Sequence, residues 1–149
     1  MGLITDFCIA PLEDADALAL MSPALPQAYF PYARMYGWKG LDQLKLDQLF
    51  QLANSELQQP TSKLESQPPV ATQADGAIMI FNVDLRLFAT LSALNKKQRA
   101  AIAERLLLIE EWRQDGWSST DALKLMDEFT KFSKMAQKAS STVLLYMSL

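Results

Sequence analysis

Apolar residues near both ends of the chain form short runs that are typical of strands. Segment 3–10 is short, apolar and followed by Pro11, and segment 142–147 is apolar and partly β-branched. A third run, 77–83, is apolar on both faces, which favours a strand that is covered on both sides. These runs predict a small sheet of about three strands that includes both chain ends. The pattern leaves the strand order open.

Elsewhere, apolar residues recur at helical spacing, which is typical of helices with one buried face. The pattern predicts helices at about 11–21, 41–55, 84–94, 96–115 and 118–138. Asn95 and Gln98 match a capping box, and Gly116 suits a left-handed C-terminal cap. We therefore predict an antiparallel helical hairpin at 96–138. The predicted fold is α+β and mostly helical, with four to five helices packed on the sheet.

Two segments lack a regular pattern. The first, 22–40, contains three prolines and two glycines and is predicted to be a long loop. The second, at about 56–75, is rich in Gln, Ser and Pro and is predicted to be a flexible, exposed connection. A chain of 149 residues is most often one domain, so we predict a single domain over 1–149.

The predicted loop 22–40 carries the most concentrated chemical signal of the chain. Tyr and Trp are enriched at binding surfaces, and Arg can stack on their rings or hold an anion. The candidate partner-binding residues are Tyr29, Tyr32, Arg34, Tyr36 and Trp38. The alternative is that these aromatic side chains fill the space between helices, because aromatic residues are more often buried than exposed.

The composition limits the chemistry. The chain has no histidine and one cysteine, so a histidine-based triad and the common zinc sites are excluded. Cys8 lies in an apolar segment and is predicted to be an inert core residue. No glycine-rich phosphate loop is present, and we predict no cofactor, no metal and no catalytic residue. The composition argues against an enzyme without deciding the question.

Charged residues of the predicted helices allow two interpretations. The last helix carries four lysines near one side, which could bind an acidic partner: Lys124, Lys131, Lys134 and Lys138. The favoured interpretation is a solvated face on which Lys124 pairs with Glu128 and Asp127 with Lys131. Four acidic residues of the preceding helix could hold a metal only if a second element contributed ligands: Glu104, Glu110, Glu111 and Asp115.

The net charge of −3 and the pI of about 4.9 argue against a nucleic-acid partner. The amino-terminal segment is acidic, and no apolar run is long enough to span a bilayer, so we expect a cytoplasmic protein without a membrane partner. The favoured function is a non-enzymatic protein-interaction module, such as a regulatory, inhibitory or immunity-type partner. Homodimerisation through an edge strand stays open. The alternative is a small-molecule-binding protein or an enzyme that uses carboxylate, Lys and Tyr groups in a pocket beside the aromatic loop.

Overall fold

The computed structural model describes residues 3–21 and 31–149, without the side chain of Tyr36. Within these ranges, five strands form one antiparallel sheet in the order β2-β1-β5-β4-β3. The strands are β1 (Ile4–Ile9), β2 (Ala33–Lys39), β3 (Ala71–Gln73), β4 (Ile78–Asn82) and β5 (Val143–Ser148). The α+β class is confirmed, and so is the prediction that the sheet includes segments near both chain ends.

Six α-helices lie in the described part of the chain. They are α1 (Ala15–Ala19), α2 (Gln43–Glu56), α3 (Arg86–Ser92), α4 (Lys96–Leu106), α5 (Glu110–Gln114) and α6 (Ser119–Ala139). The predicted capping box of Asn95 and Gln98 begins α4, and a second box of Ser118 and Asp121 begins α6. In both boxes the side chains satisfy backbone N–H groups that the first helical turn leaves without partners.

The sheet is covered on both faces, which explains why β5 is buried at five consecutive positions. On one face, Phe7 and Leu145 belong to the large core that the helices α2 to α6 complete. The rings of Phe7 and Phe129 of α6 lie 5.0 Å apart there. On the other face, Cys8 and Leu144 belong to a smaller core with α1.

The sheet has two more strands than the sequence pattern predicted. β2 lies in the predicted loop 22–40, and β3 lies in the predicted connection 56–75. In β2, Gly37 (φ +84°) lies at a bulge, and Gly40 (φ +70°) follows the strand and donates its N–H to the Leu3 carbonyl. The glycines that argue against a strand therefore occupy the positions at which the backbone needs a left-handed conformation.

The predicted helix 96–115 is wrong in its continuity, and this raises the helix count above the predicted four to five. The chain leaves the helix after Leu106, and Ile109 has the extended backbone of an N-cap before α5 begins. This break buries Trp112, whose indole N–H donates to Gln48 of α2 at 3.0 Å. The predicted hairpin over 96–138 is therefore interrupted by α5, although α4 and α6 pack against each other.

Residues 57–70 contain no helix or strand but contact the helical layer near their middle. Leu64 packs on the large core and donates its N–H to Asp47 of α2 at 2.9 Å. The Arg86 guanidinium donates to the Lys63 carbonyl at 2.9 Å. The flexibility of this connection stays a prediction, and hydrogen bonds to α2, Asp84 and Arg86 anchor its middle part, 62–66.

Candidate interaction surface

The five aromatic-segment candidates do not lie on one surface. Tyr29 and the side chain of Tyr36 lie outside the described residues. Tyr32 packs against the smaller core and donates its hydroxyl proton to Asp14 at 2.9 Å. Trp38 packs against the large core on the opposite face. Tyr32 and Trp38 are an even number of residues apart, and the extra residue at the β2 bulge shifts the alternation of side chains, so the two rings lie on opposite faces.

Arg34 forms an ion pair with Asp6 of β1 within the sheet. The shortest distance between the Arg34 guanidinium and the Asp6 carboxylate is 3.9 Å, and both side chains are almost fully buried. Asp6 also accepts the Gly37 N–H at 2.9 Å, which holds the β2 bulge against β1. Burial raises the pKa of Asp6, while the Gly37 N–H and the Arg34 charge act in the opposite direction. A buried pair held in this way contributes to the fold and presents little surface to a partner.

Trp38 belongs to a cluster of three tryptophans beside the end of β2. Its ring stacks on Trp117 with centroids 5.7 Å apart and planes inclined by 8°, and Trp117 meets Trp112 edge to face at 4.9 Å. The Trp38 indole N–H has no hydrogen-bond acceptor among the described residues. Stacking therefore positions this ring.

An open groove of about 490 Å³ lies between β2 and α6, and we call it the β2–α6 groove. Met35 of β2 and Phe132 of α6 are buried and form its apolar floor, while Met135 is exposed at its edge. The complete lining is Arg34, Met35, Gly37, Trp38, Lys124, Glu128, Lys131, Phe132 and Met135. Arg34 and Trp38 are the two predicted candidates that contribute to it.

The lysines of α6 lack the ion pairs that the sequence predicted. Asp127 binds Arg99 of α4 at 2.9 Å instead of Lys131. No carboxylate of the described residues lies within ion-pair distance of the four α6 lysines, all of which are exposed: Lys124, Lys131, Lys134 and Lys138. Two of them, Lys124 and Lys131, line the β2–α6 groove. The prediction of a salt-bridged α6 face is wrong for these pairs.

β2 is an edge strand, with β1 on one side and no described strand on the other. Hydrogen-bonding groups of an antiparallel strand alternate between its two neighbours. Because the Gly40 N–H is directed at β1, the peptide N–H of the preceding residue, Lys39, faces away from the sheet. The exposed Lys39 and the bulge at Gly37 are also features that protect sheet edges from uncontrolled pairing.

The acidic residues considered as ligands or catalytic acids do not converge. Glu104, Glu110 and Glu111 are exposed, and Asp115 pairs with the buried Lys45 of α2. Across residues 3–21 and 31–149 there is no group of three or more acidic or cysteine side chains placed to hold a metal ion. The same ranges contain no helix of the length and apolarity that crossing a membrane requires.

A smaller cavity of about 270 Å³ lies away from the aromatic segment, between α2, residues 63–66 and β4. Two of its three carboxylates, those of Asp47 and Asp84, hold the chain. Asp47 accepts the Leu64 N–H, and Asp84 accepts from Glu65 at 3.2 Å and from Arg86. The hydrogen bonds from Arg86 lower the pKa of Asp84, which keeps it ionised and acceptor-only.

The comparisons with known proteins give no match: no family model, no curated protein and no solved structure matches the chain. The assignment of function therefore depends on the geometry of this molecule. Met35 and Phe132 were not among the predicted candidates, because an apolar residue at helical or strand spacing predicts core. They form a groove floor because α6 lies beside β2.

Proposed function

We propose that the protein is a non-enzymatic protein-interaction module, of the regulatory, inhibitory or immunity type, that binds an extended segment of a partner along β2. The observation that carries the proposal is the outer edge of β2 with an open, apolar-floored groove beside it. Sheet edges bind extended peptides through backbone hydrogen bonds, and adjacent pockets select the side chains. Met35 and Phe132 provide such a pocket.

The geometry favours a weak and reversible complex. The Gly37 N–H is directed to Asp6, so the bulge shortens the run of backbone groups that a partner strand can reach. Apolar contact in the β2–α6 groove must supply the remaining free energy. Short interfaces of this kind belong to the small end of the range and commonly serve transient complexes.

The alternative, a small-molecule-binding protein or an enzyme, has less support. The groove beside the aromatic segment contains two lysines and one carboxylate side chain but no hydrogen-bonded pair of an acid and a base. In the cavity of about 270 Å³, Asp47 and Asp84 accept backbone N–H groups. General acid–base chemistry is favoured where an acid and a base are held together within reach of a substrate proton, and neither lining contains an acid and a base that are hydrogen-bonded to each other.

A selection from a library of random linear peptides on the immobilised protein tests the proposal. Selected peptides should perturb the backbone amide NMR signals of β2 and residues lining the groove. Lys39→Pro removes the outward N–H and should weaken their binding by about tenfold, the factor that corresponds to one net hydrogen bond. Lys39→Gln keeps the N–H and removes the same charge, so it is the matched control. It should bind the selected peptides within about twofold of wild type, because one exposed charge contributes little. Selected peptides that map elsewhere, or no enrichment at all, would contradict the proposal.

A further inference from the structure

We infer that the partner segment is acidic, an extended polypeptide whose Asp or Glu side chains lie against Lys124 and Lys131 while its apolar side chains occupy the floor of the β2–α6 groove. This inference rests on the proposed function, because it names the chemistry of the segment that would bind along β2. Two observations support it: the lysines on one wall of the groove form no ion pairs within the described residues, and the floor beside them is apolar.

Within the described residues, neither Lys124 nor Lys131 forms an ion pair. Asp127, the acidic residue that sequence spacing pairs with Lys131, is bound to Arg99 of α4. Glu128 lines the same groove but forms no ion pair with Lys124 or Lys131. Segment 22–30, which the structure does not describe, contains no Asp or Glu in its sequence. No acidic side chain of that segment can therefore neutralise the lysines.

The spacing of the two lysines suits an extended chain. Lys124 and Lys131 are seven residues apart on α6, which is about 10 Å along the helix axis. An extended segment covers that distance in about three to four residues, so acids at positions i and i+4 reach both flexible ammonium groups. The side chain at position i+2 points to the same side of the segment, lies between the two acids and faces Met35 and Phe132.

The whole chain is acidic, with a net charge of −3, so the lysine wall is a local exception. Such a local patch steers a partner of opposite charge to one place on the surface. A nucleic acid would use the same lysines through its phosphates. It would gain nothing from the floor formed by Met35 and Phe132, and the overall charge opposes it.

Three fluorescein-labelled ten-residue peptides test the inference: Glu-Thr-Val-Thr-Glu-Thr-Val-Thr-Glu-Thr and its counterparts with Gln or Lys in place of every Glu. We call them the Glu/Val, Gln/Val and Lys/Val peptides, and each presents its charged or polar residue and Val on the same face. A ten-nucleotide thymidine oligonucleotide serves as the nucleic-acid probe. Binding to the full chain is measured by fluorescence anisotropy at about 50 mM NaCl. The Glu/Val peptide should bind at least about tenfold more tightly than the Gln/Val peptide. The ratio of the two affinities should decrease at higher salt, because salt screens the charges. The Lys/Val peptide and the oligonucleotide should bind more weakly than both.

The double variant Lys124→Gln/Lys131→Gln should lose the preference for the Glu/Val peptide. Its matched control is Lys96→Gln/Lys97→Gln, which removes two exposed lysines from the start of α4 with the same change of net charge and should bind within about twofold of wild type. Equal affinity for the Glu/Val and Gln/Val peptides, with both weakened by Lys39→Pro, would overturn the inference and leave the proposed function standing. Tightest binding of the oligonucleotide or of the Lys/Val peptide would overturn the inference as well. No binding of any peptide would contradict both proposals.

Discussion

Asp6 connects β1 to β2 through two contacts that the backbone ladder alone does not supply. Its carboxylate accepts the Gly37 N–H and lies 3.9 Å from the Arg34 guanidinium. Removing one member of a buried ion pair leaves the other charge without that partner, which commonly costs about 3–5 kcal/mol. The pair therefore stabilises the edge strand only as long as both residues are present.

A double-mutant cycle measures this coupling. Asp6→Asn keeps an oxygen acceptor for Gly37 but removes the charge, and Arg34→Met keeps an unbranched apolar side chain. Each single variant should lower the free energy of unfolding by about 3 kcal/mol, and the double variant should lose less than the sum of the two. Urea denaturation provides the measurement. Losses that add without coupling would mean that the two charges do not stabilise each other.

Cys8, on the same face of β1, gives a prediction about pH. Burial, with a smaller contribution from the Asp6 charge, raises the pKa of the Cys8 thiol to about 12. In the unfolded chain the thiol ionises near pH 8.5, so above that pH the unfolded state releases a proton that the folded state retains. This contribution to stability is complete below about pH 8.5 and declines towards pH 12, by up to about 1.4 kcal/mol per pH unit.

Cys8→Ala lacks the thiol and isolates the effect, because the tyrosines and lysines titrate in both proteins. The wild-type free energy of unfolding minus that of Cys8→Ala should decrease steadily between about pH 8.5 and pH 10.5. Denaturation curves at several pH values check this. A difference that stays constant with pH would contradict the burial of the thiol.

At the scale of elements, the break between α4 and α5 decides which leucines enter the core. Leu106, at the end of α4, is 0% exposed, while Leu108, in the break, is 76% exposed. Leu106→Ala should lower the free energy of unfolding by about 2–5 kcal/mol, whereas Leu108→Ala should change it by less than about 0.5 kcal/mol. In a continuous helix Leu108 would lie one turn from the buried Trp112 and share its face. Equal losses at the two positions in thermal or urea unfolding would argue for that continuous helix.

The elements that sequence analysis predicted well are those whose signals are local. The apolar runs of β1, β4 and β5 and the capping residues Asn95 and Gln98 act within a few positions of themselves. β2 was missed because its aromatic and glycine content is explained only by pairing with β1. The candidate site depended on similar long-range placement, since Arg34 pairs with Asp6 and the groove exists only where α6 lies beside β2.

At the scale of the whole molecule, β5 connects the two parts of the sheet. It pairs with β1 on one side and β4 on the other, and its residues contribute to the cores on both faces. The sheet cannot form in this order without it. Removal of residues 143–149 should therefore abolish soluble folding, as judged by soluble yield and circular dichroism.

A matched pair of substitutions separates this central role from a general effect of added charge. Leu145 is 1% exposed and Leu149 is 71% exposed, and both lie in the last seven residues. Leu145→Asp places a carboxylate in the large core, where desolvation costs several kcal/mol, comparable to the total stability of a domain. It should give no cooperative melting transition, while Leu149→Asp, with the same change of charge, should melt within about 2 °C of wild type because its side chain stays in water. A Leu145→Asp protein that melts like wild type would mean that β5 is not held between β1 and β4, and the assignment of β2 as the free edge of this sheet would then fall with it.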